Sequence, residues 1–222
     1  MAAQQKDDNQ ITLAKDLQNV PWCDQYERMI SGMLYDSFVP ELKKARFKAR
    51  AWAHQYNTYW PTEGTDADPD ALTEKRQRDL ACILGKIGSD GYIEPPFRID
   101  YGCNISIGVR FYGAFNLTIL DCGLVTIGDR VMVGPNVSIF AATHETEVPS
   151  RREDIEYTKP VVIGNDCWIG GHAVILPGVT IGKGCTIAAS SVVTKDIPDW
   201  SIAKGSPAKV TGNVTPVEDV VE

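Results

Sequence analysis

The sequence has no apolar run approaching the roughly 20 residues that cross a bilayer, so no transmembrane anchor is expected. Its first ten residues, MAAQQKDDNQ, carry no apolar stretch, and no secretory signal is expected either. Positive charge is in deficit. Lys and Arg total 22 against 29 Asp and Glu, a formal charge of −7, which argues against nucleic acid or an anionic membrane as partner. Only a local basic patch, of the kind that serves a phosphorylated small molecule, fits that balance. The six cysteines, at 23, 82, 103, 122, 167 and 185, form no C-x-x-C pair and match neither a disulfide framework nor a zinc-ligand pattern. They read as free core thiols in a reducing compartment, which makes a cytoplasmic protein the default. Histidine is scarce, at three residues, and no P-loop or dinucleotide fingerprint occurs.

What the sequence does have is a period. From Val161 to Pro198 a branched aliphatic recurs every six residues, at Ile163, Ile169, Ile175, Ile181, Ile187 and Val193. The following position is small in most units (Gly164, Gly170, Gly182, Ala188), and Cys167, Ala173, Val179, Cys185 and Ser191 stand four places after each aliphatic. Neither a helix nor a simple strand yields a strict six, whereas hexads are the mark of a parallel β-helix. Three hexads close one triangular coil of eighteen residues, and successive coils stack about 4.8 Å apart. The aliphatics then form an inward ladder, with small residues at the corners. Cys167 and Cys185, eighteen residues apart, should occupy one corner of neighbouring coils.

Upstream the pattern differs. Residues 1–24 read as a polar arm with weak helical tendency around Ile11, Leu13 and Leu17. Tyr26, Met29, Ile30 and Met33 recur at helical spacing up to Gly32. Val39 to Tyr56 reads as a longer helix, residues 57–70 as a loop, and Ala71 to Ile87 as a third helix capped by Asp70. Hexads begin irregularly near residue 93 and become regular at Ile127, Val133 and Ile139. The step from Ile107 to Ile127 is two residues longer than three hexads, which calls for a bulge or corner insertion in the early coils. Residues 144–160 contain no hexad and read as a loop extruded from the coil; WSIAKGSPAKV looks like the last coil, and 212–222 an acidic tail.

The run VVIGNDCWIGGHAVILPGVTIG, the later SVVTKDIP and the upstream ATHE resemble the hexapeptide-repeat acyltransferases, within them the maltose and galactoside O-acetyltransferase group. The segment from ERMISGMLYDSFVPEL onward resembles the small helical domain that precedes the β-helix in that group. The resemblance implies a mainly β fold: a left-handed parallel β-helix over residues 93–211 with a small α-helical N-terminal domain over residues 25–92. It implies an acetyl-CoA-dependent O-acetyltransferase acting on a small sugar, without a metal, assembled as a homotrimer with active sites between subunits.

His144 is the sharpest candidate. It stands where the repeats stop and a polar loop begins, a place where functional residues gather. In the resembling enzymes the matching histidine is the catalytic base, and an imidazole suits removal of a hydroxyl proton near neutrality. His54 and His172 read as structural, and the spacing of the three does not match the zinc site of carbonic anhydrases built on this scaffold. On the acceptor side the resemblance implicates Asp36, Asp100 and Asn116. On the coenzyme A side it implicates Trp168, Gly171, Ala189, Thr194, Lys195 and Lys209. Four positions depart from the family: Ala114 stands for Asn, Cys122 for the Asp of the galactoside enzymes, and Lys209 and Gly212 for Arg. The first two leave the acceptor open to other classes, amines or secondary metabolites among them. A catalytically silent scaffold is the remaining alternative.

Overall fold

A computed structural model describes residues 1–61 and 68–218. Part of the expected loop at 57–70 and the end of the expected acidic tail lie outside the described residues. The dominant element is a parallel β-helix of about six coils. Its first face stacks Lys86–Ile87, Ile105–Ile107, Val125–Ile127, Val161–Ile163 and Thr180–Ile181. The second stacks Tyr92–Ile93, Tyr112–Gly113, Met132–Val133, Trp168–Ile169, Thr186–Ile187 and Ser201–Gly205; the third, Phe97–Ile99, Leu117–Leu120, Ser138–Phe140, Val174–Ile175 and Val192–Val193. The hexad ladder is realised in register: Ile163 pairs with Ile181, Ile169 with Ile187 and Ile175 with Val193, all essentially without solvent exposure. Cys167 and Cys185 do sit at one corner, their thiols donating to the carbonyls of Gly182 and Pro198.

The early coils keep a period of twenty, pairing Ile87 with Ile107 and Ile107 with Ile127. The two extra residues always fall at the third corner, between the third face and the first, at residues 100–104 and again at 121–124. A coil widened at one corner cannot be filled by its own side chains there. That corner instead holds a second apolar core, in which Tyr101, Cys103, Cys122 and Leu124 pack with Tyr26, Met29, Ile30, Tyr35 and Leu42 of the N-terminal segment.

Among the described residues five helices accompany the coils: α1 (Asp8–Lys15), α2 (Asp24–Ile30), α3 (Pro40–Thr58), α4 (Pro69–Ile83) and the short α5 (Val148–Arg152). The arm is more ordered than its polarity suggested. Asp7 caps α1 by accepting from the N–H groups of Asn9 and Gln10, Ala14 is fully buried, and Lys6 pairs with Asp24 and Glu27 of α2. The third expected helix starts earlier and stops sooner. Asp68 is its cap, because Pro69 suits the first helical position and the Asp68 carboxylate is left to accept from the Asp70 N–H. It ends at Ile83 because residue 85 already runs against the second coil; a Cβ on Gly85 would lie 2.0 Å from the Cys103 carbonyl. The β-helix therefore begins at Lys86, seven residues before the expected start.

The chain extruded after Phe140 leaves from the same third corner. Ala142–Thr143 and Ile155–Thr158 pair antiparallel, and Tyr35–Asp36 adds to the outer side of Ile155–Thr158. At the far end Ser201–Gly205 turns back as a hairpin onto Ala208–Asn213, covering the open edge. Among the described residues no helix is long and apolar enough to cross a membrane.

Candidate active site

The wide corner, the extruded strands and α3 enclose a cavity of about 460 Å³ lined by Ser37, Phe38, Arg46, Arg50, Asp100, Leu120, Cys122, Ala142, His144 and Glu156. His144 follows directly on Ala142–Thr143, and the antiparallel return brings Glu156 beside it. Its Nε2 lies 3.8 Å from Glu156 Oε2, and its Nδ1 lies 3.4 Å from the Ile155 carbonyl. Glu156 is held from behind by the Tyr35 hydroxyl, which donates to Oε1 at 2.7 Å. Burial above all, with the Glu156 carboxylate beside it, pushes the Tyr35 phenol far up, so it stays a donor at neutral pH. The histidine ring remains exposed to the cavity, as a group that meets an acceptor must be.

Asp100 forms the opposite wall. Arg50 Nη2 approaches its Oδ1 at 3.7 Å, and the Cys122 thiol donates to its Oδ2 at 3.4 Å. Burial first, then Asp100, Glu156 and Asp121, raise the Cys122 thiol well above its ordinary range. Cys122 is thus a neutral donor at a place where a carboxylate would repel both Asp100 and Glu156. Arg46 completes the wall by donating to the Tyr101 hydroxyl and to the Ser37 carbonyl. Two cations and two carboxylates face one another with an imidazole between them. That set can orient a polyol by charge-assisted hydrogen bonds and take up one proton.

Of the expected acceptor residues, only Asp100 lines this cavity. The Asp36 carboxylate turns back to accept from the Phe38 N–H at 2.8 Å, so the loop it shapes, not the carboxylate, reaches the cavity through Ser37 and Phe38. Asn116 sits at the second corner in the left-handed conformation (φ +61), where Asn is tolerated, and its Oδ1 accepts from Arg98. Ala114 is buried at the end of a second-face strand, also away from His144. His172 points outward at the same second corner, within 3.4 Å of Asn136, and His54 lies on α3.

The expected coenzyme residues fall elsewhere on the coil. Gly171 and Ala189 stand at the second corner of successive coils, where the Ser190 N–H donates to the Gly171 carbonyl. Thr194 and Lys195 follow the last third-face strand and are exposed. Lys209 lies on the terminal hairpin directly opposite Lys204. Two ammonium groups on facing positions repel each other, and an anion between them relieves that repulsion. Trp168 is 53% exposed on the second face.

Sequence reasoning missed Glu156, Arg46, Arg50 and Tyr35. Glu156 lies in a stretch without a hexad, although the alternation in Ile155–Thr158 was a strand signal. Arg46 and Arg50 are four apart on α3, one face of a helix, but nothing local says what that face meets.

The sequence matches the maltose acetyltransferase hexapeptide capping motif over residues 28–88 and the six-repeat bacterial transferase hexapeptide over residues 160–195. It is 39% identical to the galactoside O-acetyltransferase of Escherichia coli over 83% of this chain and 86% of that one. A solved maltose O-acetyltransferase of Clostridium difficile superposes with a TM-score of 0.81 at 36% identity, covering 87% of this chain and 99% of the other. A galactoside acetyltransferase in complex with coenzyme A superposes with a TM-score of 0.79 at 36% identity, over 87% and 92% of the two chains.

Proposed function

The chain belongs to the maltose and galactoside group of hexapeptide-repeat acetyltransferases, and on that premise we propose that it transfers acetyl from acetyl-CoA to a hydroxyl of a small sugar held in the 460 Å³ cavity. The observation that carries this reading is the convergence on one cavity of His144 and Glu156, from the extruded hairpin, with Asp100, from the wide corner of an earlier coil.

His144 acts as general base. The acceptor hydroxyl oxygen attacks the thioester carbonyl carbon while its proton passes to an imidazole nitrogen, and the C–S bond then breaks with the proton returned to the departing sulfur. Glu156, itself fixed by Tyr35, orients the ring and stabilises the imidazolium formed during transfer. Asp100, Arg46 and Arg50 hold the other hydroxyls. No covalent acetyl-enzyme is needed, which leaves the cysteines out of the chemistry.

Small residues at one corner and nearby lysines support a donor site for coenzyme A on the coil. The small Gly171 and Ala189 leave a shallow track for a pantetheine arm, and Lys195, Lys204 and Lys209 offer cations to phosphates in an otherwise acidic protein. Lys204, opposite Lys209 on the terminal hairpin, is not among the residues expected from sequence. The exposed column Tyr112, Met132 and Trp168, register partners on successive coils, favours a homotrimer in which each site is completed between subunits.

The test is thiol release from acetyl-CoA with maltose, glucose, methyl galactoside and small amines. We expect release with a sugar, and a loss of about 10²- to 10⁴-fold in kcat for His144→Ala with coenzyme A binding intact. Equal rates in the two proteins would remove the general-base assignment, and release with amines alone would replace the sugar by an amine acceptor.

A further inference from the structure

One buried carboxylate plays no part in this chemistry, yet it touches the two segments that build the acceptor wall. Asp121 has no solvent exposure. Its Oδ1 accepts from the N–H groups of Asp100 at 3.0 Å and Tyr101 at 2.9 Å, and its Oδ2 accepts from the N–H of Asn104 at 3.4 Å. Asn104, equally buried, donates from Nδ2 to the Asp121 carbonyl at 2.7 Å and accepts from the Tyr26 hydroxyl of α2 at 2.8 Å. The chain Tyr26–Asn104–Asp121 thus ties the helical segment to the widened corner, and the corner ends in two cavity residues. Asp100 is gripped by its own N–H, and Cys122 is the next residue after Asp121.

We infer that Asp121 is a positioning residue for the acceptor: by clamping the loop 100–104 of the coil below, it fixes Asp100 and Cys122 against each other across the cavity wall. This rests on the reading of that cavity as the acceptor site. The two-residue widening makes such a clamp necessary. An ordinary hexad corner gives one N–H to a side chain of the next coil, as Val109 does to Asp129 and Lys183 to Asp199, whereas the wide corner turns three, those of Asp100, Tyr101 and Asn104, onto the Asp121 carboxylate. Burial pushes the Asp121 carboxyl up to about 7, the sign of a charge kept at a cost to stability. An Asn at this position would keep one accepting oxygen and set its NH₂ against the Asn104 N–H, donor facing donor. The corner would have to shift to relieve that.

The test is a double-mutant cycle with Asp121→Asn and Asp100→Asn, read as KM for the sugar of highest rate at saturating acetyl-CoA. Hydrogen exchange of the 100–104 amides is followed in the same proteins. Asp121→Asn should raise the acceptor KM about ten-fold, within the 10²-fold that a 1 Å misplacement can cost, and leave the KM for acetyl-CoA unchanged. It should also speed exchange at residues 100–104. Added to Asp100→Asn, it should cause little further loss, because it acts through that residue. Tyr26→Phe, which removes only a hydroxyl from the far end of the chain, should give a smaller effect of the same kind and decides the matter if Asp121→Asn does not fold. Independent, multiplying effects, or unchanged exchange at 100–104, would overturn the proposal. An Asp100→Asn protein with an unchanged acceptor KM would instead overturn the acceptor-site reading, while the exchange result would still judge the clamp.

Discussion

His144 and Glu156 stand twelve residues apart in sequence; the antiparallel return of their strands sets the imidazole 3.8 Å from the carboxylate. If Glu156 orients the ring, Glu156→Gln should lower kcat by about ten-fold, less than the roughly 10²- to 10⁴-fold that the base itself contributes, with little change in KM for acetyl-CoA. Steady-state kinetics with each substrate varied separately would check this. A change confined to KM would make Glu156 an acceptor contact rather than a partner of His144. Tyr35→Phe, which removes the hydroxyl behind Glu156, should show a weaker version of the same pattern.

At the scale of the element, the corners govern both stability and site geometry. Asp121 makes the wide corner sensitive to pH. Its folded carboxyl, raised to about 7, binds a proton that the unfolded carboxyl, at about 3.9, has already released. The favourable contribution is therefore fully present below about pH 4 and is lost as pH rises through about 7. Wild-type stability minus that of Asp121→Asn should accordingly fall across that window in urea titrations, and a flat difference would contradict the buried, ionising carboxyl. The narrow corners have a different limit. A Cβ on Gly164 would lie 2.6 Å from the Lys183 nitrogen of the next coil, so Gly164→Ala must push two coils apart. It should cost about 1–3 kcal/mol, the range for overpacking, seen as a lower urea midpoint with the acceptor KM unchanged.

For the whole molecule, the uncovered column of Tyr112, Met132 and Trp168 is an apolar stripe on the coil surface that solvent does not suit. Sedimentation of the wild type should give about three times the monomer mass, as in a closed ring in which each subunit buries such a surface against the next. Met132→Glu with Trp168→Glu should shift it to monomer and lower turnover, since each site then lacks the neighbouring subunit. A monomeric wild type with full activity would contradict the trimer.

The sequence by itself determined the coil. A strict six-residue recurrence of Ile and Val has only one way to bury its ladder, and the two-residue excess between Ile107 and Ile127 calls for a bulge or a corner insertion. It also singled out His144, because the residue stands where the period stops. Only the tertiary structure decided which corner widened, that α2 and α3 dock there, and that Glu156, Arg46, Arg50 and Cys122 converge with Asp100 on one cavity. The reason is range. Periodicity reports what a residue does within its own coil, whereas the site is made by contacts between segments as far apart as Tyr35 and Glu156, which the pattern of either segment alone does not encode. Asp36 and Asn116 show the same limit: the sequence pattern places each residue, but the local partners their side-chain oxygens take, the Phe38 N–H and Arg98, appear only in the tertiary structure.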